Sequence, residues 1–328
     1  MKAAVLVAQN APLEIVEIDL PKLDIGQVLV KVEFSGICGK QIDEITGRQG
    51  PDQYIPHLLG HEGAGTVVDT GPGVTRVKKD DRVVLHWVKG PGIDSRPPRY
   101  ELGDQTISAG WVTTFSEYSI ASENRLTVVD GDLSGDVLSL LGCAVTTGLG
   151  IVFNNARLMP GQSIAVFGVG GVGLNVLQGA GLVNAYPIVA IDLNADKLAH
   201  ARSFGATHVI DASMVDASET IRELSGGEGF DAVVDTTGVN DVRLGAYDAT
   251  SDKGTTVFAG VPFAGDRLAI DSFPLHFGRR IIGSHGGETI PAADIPRYLN
   301  LYRQGRLRLE EVISERFPLD RINDAVTT

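Results

Sequence analysis

SIAVFGVGGVGLNVLQGAGLV, residues 163–183, reads as a buried strand, a glycine-rich turn and a helix in succession. Its core, Gly168-Val169-Gly170-Gly171-Val172-Gly173, has the spacing G-x-G-x-x-G. In that setting Gly168 permits a tight turn. Gly170 and Gly171 let backbone amides approach a pyrophosphate, and Gly173 lets the helix pack closely on its sheet. The helix start adds partial positive charge for the phosphates. The next strand, PIVAID (187–192), ends in Asp192. A carboxylate there can accept a ribose 2′-hydroxyl and repels a 2′-phosphate, which points to NAD rather than NADP. Lys197, about one helical turn further on, is placed to touch the adenosine ribose. The competing reading is a packing turn with Asp192 as a helix cap and Lys197 as a solvated helix lysine.

Outward from this stretch the pattern continues. ADKLAHARSFGA reads as an amphipathic helix, and HVIDA, FDAVVDTTG (230–238) and GTTVFAGVP (254–262) as further strands. Strands alternating with helices of this length give βαβ units and a parallel sheet, so the class is α/β. The preceding residues are β-rich, with short runs such as Val28–Phe34, Gly65–Val68 and Arg82–Trp87 between Gly, Pro and Asp turns. From about Glu288 the character is mixed again, with a helix near Ile295–Gln304. We therefore expect one domain over 1–150, completed by 288–328, and a second over 151–287.

Composition narrows the class. Among 328 residues, 28 Lys and Arg against 41 Asp and Glu give a net charge of −13, a poor match to a phosphate backbone, so nucleic acid is not an expected partner. The apolar run at the N-terminus is too short for a signal-peptide core. Leu158–Ile191 carries no charge, but two prolines and seven glycines fit a buried strand–turn–helix better than a bilayer span. The expectation is a cytoplasmic protein with no membrane partner. Two cysteines exclude a disulfide scaffold and a four-cysteine zinc site. Cys38, Cys143 and His61 could fill three of the four positions of a catalytic zinc, or be two buried thiols and a turn-capping imidazole.

GHEGAGTVVDTGPGVTRVKKDDRV, TTFSEYS, GCAVTTGLG and AVFGVGGVG, in this order, resemble the zinc-dependent medium-chain alcohol dehydrogenases, nearest to the class III type. The resemblance implies a GroES-like catalytic domain and a Rossmann doubly wound cofactor domain. It implies a catalytic zinc on Cys38, His61 and Cys143, with Glu62 close by. It also implies that Thr147 and Val172 line the nicotinamide and that Val261 and Ser284 meet its carboxamide. Trp87 and Trp111 would line the substrate pocket; their alternative is core packing. Such proteins are homodimers or homotetramers, often paired through the cofactor-sheet edge, here near Thr255–Val261 and on to Ile282.

Three departures from the family stand out. The segment where a structural-zinc loop would fall, about 88–105, has no cysteine, so one catalytic zinc and no structural one is expected. Lys40 and Gln41 stand where the family has a hydroxyl that bonds substrate and an aspartate that bonds the ligand histidine. Asp43, near the usual relay histidine, is a candidate substitute. The family also runs some 15–20 residues past VTT, so a truncated or unusual C-terminus is expected. Lys40 beside a metal could accept the substrate proton or face a substrate carboxylate or phosphate, unless it extends to solvent. Of His57, His86, His276 and His285, the second and fourth are the nearer pocket candidates. The expected activity is hydride transfer between an alcohol and NAD, the alcohol a polar polyol, sugar or cyclitol. The alternatives are a redox-neutral elimination or epimerisation with NAD cycling in place, or a non-catalytic NAD(H)-binding protein.

Overall fold

A computed structural model describes all 328 residues. The chain forms two compact units, Met1–Cys143 with Ile290–Thr328, and Ala144–Thr289.

The first unit holds ten strands: β1 (Lys2–Leu6), β2 (Glu14–Glu17), β3 (Gln27–Ser35), β4 (His57–Leu58), β5 (Glu62–Thr70), β6 (Arg82–His86), β7 (Arg99–Leu102), β8 (Gln105–Ser108), β9 (Tyr118–Ser122) and β10 (Leu126–Val128). They form two five-stranded sheets, ordered β2-β1-β4-β8-β7 and β10-β6-β5-β3-β9. Alternation drives the second sheet. Val28 and Val30 of β3 turn inward with Val67, Val83 and Leu85, while Lys31 faces out. The short helix α1 (Gly39–Ile45) follows β3, and α2 (Gly135–Ser139) follows β10. The C-terminal residues return to this unit. Leu13 and Asn323 exchange two hydrogen bonds, of 2.8 and 3.0 Å, and Ile322 packs with Ala4 and Leu6.

The cysteine-free segment is pinned by a buried carboxylate instead. Glu123 accepts the backbone N–H groups of Thr75, Arg76 and Ile93, and Ser95 N–H bonds the Ser122 hydroxyl. Beyond it β7 and β8 close a hairpin.

The second unit opens with α3 (Ala144–Gly150) and a π-helical turn, then alternates β11 (Ile164–Phe167), α4 (Gly171–Leu182), β12 (Ile188–Asp192), α5 (Ala195–Ser203), β13 (His208–Asp211), α6 (Ala217–Leu224), β14 (Phe230–Asp235), α7 (Asn240–Asp248), β15 (Thr250–Phe258) and β16 (Arg280–Gly283). All six strands are parallel, in the order β13-β12-β11-β14-β15-β16. Helices on the faces of such a sheet bury both sides of its strands, hence the unbroken apolar runs of β11 and β12. The uncharged Leu158–Ile191 is this strand–helix–strand, with α4 buried from Gly173 to Ala180. No single helix is long and apolar enough to cross a membrane. Helix α8 (Pro291–Arg303) belongs to the first unit and covers the sequence-expected Ile295–Gln304 closely.

Candidate metal centre and dinucleotide loop

Cys38 caps the N-terminus of α1, His61 immediately precedes β5, and Cys143 ends the first unit. Their ligand atoms lie within 4.8 Å of one another. Both cysteines are free thiols. The His61 Nε2 atom is buried and has no nitrogen or oxygen partner, while Nδ1 is taken by the Gln41 amide. A buried ring nitrogen aimed at two sulfurs, with the other nitrogen oriented by a neighbour, is the donor set of a tetrahedral zinc site with one position open. The residues therefore fit a zinc ion.

The electrostatics agree. The Cys38 thiol is held well below its ordinary pKa, first by the hydrogen bond from Cys143 and, against the cost of burial, by His61 and the Lys40 backbone N–H. Cys143 is raised correspondingly, by Cys38 and then by burial, with the Trp87 indole opposing. Burial works to lower His61, but the hydrogen bond and charge of Cys38 and the charge of Glu62 outweigh it and raise it. Without a metal the cluster shares its protons; a divalent cation would replace them.

The other expected site residues fall as follows. Glu62 is buried next to His61, its carboxylate against Gly36. Trp87 sits beside Cys143, whereas Trp111 is 50% exposed with the Arg125 guanidinium 5.4 Å above its ring. Lys40 Nζ is 3.5 Å from Glu44, one helical turn on, and Asp43 pairs with Arg48 at 3.3 Å. His57 bonds Asp52 at 2.7 Å, and His276 and His285 are exposed.

His86 is buried with both ring nitrogens occupied, Nδ1 donating to the Val88 carbonyl at 2.7 Å and Nε2 meeting Thr127 Oγ1 at 2.9 Å. That leaves no nitrogen for a substrate. Burial, aided by Arg125, depresses its pKa to about 4 from 6.5. The unfolded chain therefore binds a proton between pH 6.5 and 4 that the native chain does not. Stability is full above pH 6.5 and falls as pH drops through this window, by on the order of 3 kcal/mol from this group. Urea unfolding across that range should show a shallower decline for His86→Gln; an unchanged slope would count against the assignment.

In the second unit Gly168, at φ +85°, turns the chain out of β11, and the helix α4 starts after Gly170. A Cβ on Gly168 would lie 2.5 Å from Thr236 Oγ1, and one on Gly173 would lie 2.1 Å from the Gly168 carbonyl oxygen. A Cβ on Gly170 would meet nothing within 4 Å. Two glycines are thus required by the protein, while the third borders free space at a helix start, where first-turn N–H groups have no intrahelical partner. The loop leaves β11 between β12 and β14, where strand order reverses and such sheets bind ligands. Asp192 Oδ2 accepts Val169 N–H at 2.9 Å, and Oδ1 accepts Leu193 and Asn194 N–H. The cap of α5 is Asn194, not Asp192. Lys197 is exposed on α5, Val172 is half-buried and Thr147 is buried on α3. Val261 is exposed, and Ser284 Oγ accepts Gly287 N–H.

Two residues escaped the sequence reading. Thr236 donates to the Phe167 and Gly168 carbonyls and fixes the loop from behind. Asp235, buried at the end of β14, accepts from Thr237 and Gly238 N–H; burial raises its pKa against those bonds. Only the D-T-T-G turn after an apolar strand hinted at them.

A Cys2His cluster that fits zinc and a glycine loop at the switch point of a parallel sheet are the features of a zinc-containing dehydrogenase. Residues 24–131 match the alcohol dehydrogenase GroES-like domain family, and residues 171–304 the zinc-binding dehydrogenase family. The S-(hydroxymethyl)glutathione dehydrogenase of Escherichia coli O1:K1 is 34% identical over 99% of this chain and 95% of its own. Among solved structures, an alcohol dehydrogenase zinc-binding domain protein from Burkholderia ambifaria superposes with a TM-score of 0.90 at 29% identity, covering 99% of this chain and 94% of that one. Benzyl alcohol dehydrogenase from Acinetobacter calcoaceticus also gives 0.90, at 27% identity, over 99% and 95%. The chain belongs to the zinc-dependent medium-chain alcohol dehydrogenase family. It is an oxidoreductase acting on CH–OH groups, with a GroES-like domain and a Rossmann-type sheet.

Proposed function

We propose that Cys38, His61 and Cys143 hold the catalytic zinc of an NAD-linked alcohol dehydrogenase whose substrate is a polar polyol, sugar or cyclitol, including acidic ones. The observation carrying the metal assignment is the convergence of two sulfurs and a buried, unpartnered imidazole nitrogen within 4.8 Å. When bound, zinc would supply a Lewis acid for the alcohol oxygen and NAD an acceptor for the hydride. The protein's part is to hold and orient. The Cys38 and Cys143 thiolates balance the ion's charge, and Glu62 adds a further negative charge beside them. Gly170 and Gly171 open the helix start to the pyrophosphate, Gly168 and Gly173 let the loop and helix pack closely on β11, Asp192 accepts the adenosine ribose, and Lys197 flanks it. Thr147 and Val172 line the nicotinamide, and Val261 and Ser284 meet its carboxamide. Trp87, and with it Trp111, borders the substrate. Proton removal runs through Lys40, Asp43 or the cofactor ribose.

Lys40 supports the polar substrate class. Its side chain is 36% exposed, leaves the helix turn that starts at Cys38, and reaches Glu44 only at 3.5 Å. The test is zinc content together with NADH formation over an alcohol panel. Metal-replete protein that binds NAD yet reduces none over simple alcohols, polyols and sugar acids would overturn the reading. Lys40→Ser should raise KM for acidic polyols about tenfold more than for uncharged alcohols, the weight of one charge-assisted contact. Unchanged kinetic constants for both classes would make Lys40 a bystander.

The same proposal includes a homodimer or homotetramer. Strand β16 ends its sheet with β15 as its sole strand neighbour, and exposed Phe273 and Phe277 precede it with rings 5.1 Å apart. An unpaired edge beside exposed aromatics suits pairing with a second copy. It also places the enzyme in the cytoplasm, where metal-binding thiols stay reduced. Light scattering that finds a monomer at assay concentration would remove the oligomer from the proposal.

A further inference from the structure

Gln41 offers one amide to two backbone and ring groups that both belong to metal ligands. Its Oε1 accepts the Cys38 backbone N–H at 3.0 Å, and its Nε2 faces His61 Nδ1. The side chain is 2% exposed, so no solvent competes for either contact. We infer that Gln41 is the positioning residue for His61, and that its neutral amide sets a weaker hold on zinc than a carboxylate in its place would give. This rests on the assignment of His61 as a zinc ligand.

The argument is stereochemical. For Nε2 to bind a metal it must carry no proton, so the neutral ring has its proton on Nδ1. Nδ1–H and Cys38 N–H are then both donors. An amide has one accepting end and one donating end. With Oε1 on Cys38, the NH2 group faces Nδ1–H, donor against donor. With the amide turned over, Nδ1–H is satisfied and Cys38 N–H meets the NH2 group. Either way one buried donor is left without an acceptor, at a cost water cannot relieve. In the metal-free ring, with its proton on Nε2 and the Cys38 sulfur as acceptor, Nδ1 accepts from Gln41 while Oε1 keeps the Cys38 N–H, and all three contacts are satisfied. The amide therefore favours the metal-free arrangement relative to the loaded one, whereas a carboxylate would accept from both donors in the loaded state. Because Cys38 is itself a ligand, the mismatch touches two of the three protein ligands.

The experiment is Zn²⁺ titration of the full-length, metal-stripped chain against a chromophoric chelator. Gln41→Glu should bind zinc at least about tenfold more tightly than the parent, and Gln41→Leu more weakly, within the range by which partners of ligand histidines tune affinity. An affinity for Gln41→Glu equal to or below the parent's would overturn the inference. Melting of the stripped variants checks that each folds. If stripped Gln41→Glu does not, the ¹⁵N shifts of His61 in the parent decide: a proton on Nε2 without zinc and on Nδ1 with it is expected, and Nδ1–H in both states refutes the inference. Zinc binding that Cys143→Ser leaves untouched would sink the metal assignment and this inference together. A flat series on a Cys143-dependent site refutes the role of Gln41 alone.

Discussion

Cys143→Ser should remove stoichiometric zinc and lower kcat/KM for any alcohol by about 10³-fold or more, while NADH still binds. The size follows from the metal's part: polarising an alcohol oxygen is worth several kcal/mol, and each 1.4 kcal/mol is a factor of ten. Serine is nearly isosteric with cysteine but keeps its proton at neutral pH, so it cannot supply the anionic ligand that the shared-proton pair with Cys38 supplies. Cys143 is buried, so a folding defect must be separated from a metal defect. Melting in the presence of a chelator does so, because parent and variant are then both metal-free and should unfold within a few degrees of each other. The NADH measurement reads the second unit, Ala144–Thr289, which contains the glycine loop and Asp192 but neither Cys38 nor His61. Retained zinc at parental stoichiometry would show that Cys143 is no ligand, whatever the activity.

How far the sequence reached depends on distance along the chain. The parallel sheet and the dinucleotide loop were legible because their signals are local. Strand, glycine turn and helix are consecutive at 163–183, and Asp192 closes the very next strand. The metal cluster was not legible from spacing, since Cys38, His61 and Cys143 are far apart in the chain and meet only in the folded first unit; family resemblance named it and the geometry brings its atoms together. Gln41 stands where the family has an aspartate that bonds the ligand histidine, and its amide meets His61. The fate of Lys40 and Asp43 needed the structure. Lys40 lies four residues before Glu44, a helical ion-pair spacing, and Asp43 five before Arg48, so local partners engage both. His86 is a pocket candidate on the sequence, but both its ring nitrogens are bonded within the protein, a pairing no local pattern announces. Nor could the sequence have shown that Glu123, accepting Ile93 N–H together with Thr75 and Arg76 N–H, ties the segment that lacks cysteines to the turn at 75–76.

Gly173→Ala and Gly170→Ala should part company, although both add one methyl group to the same loop. At Gly173 the added carbon would sit 2.1 Å from the Gly168 carbonyl oxygen, well inside contact distance and against backbone that cannot swing aside. Gly168 is in turn fixed by Thr236, whose hydroxyl donates to its carbonyl at 2.9 Å. The helix start must therefore move off β11, at a cost of about 1–3 kcal/mol in stability, as for other overpacked sites. NAD affinity should fall with it, by at least about a hundredfold, because the amides facing the pyrophosphate move as a unit with the helix. At Gly170 the protein offers no obstacle within 4 Å, so the apo protein should melt like the parent. Any loss there must arise from the space the cofactor occupies, and KM for NAD should rise while stability does not change. Thermal melting with and without NADH separates the two effects. If Gly170→Ala bound NAD as well as the parent, the phosphates would not pass over that glycine, and the dinucleotide assignment of the loop would fail at its most exposed point.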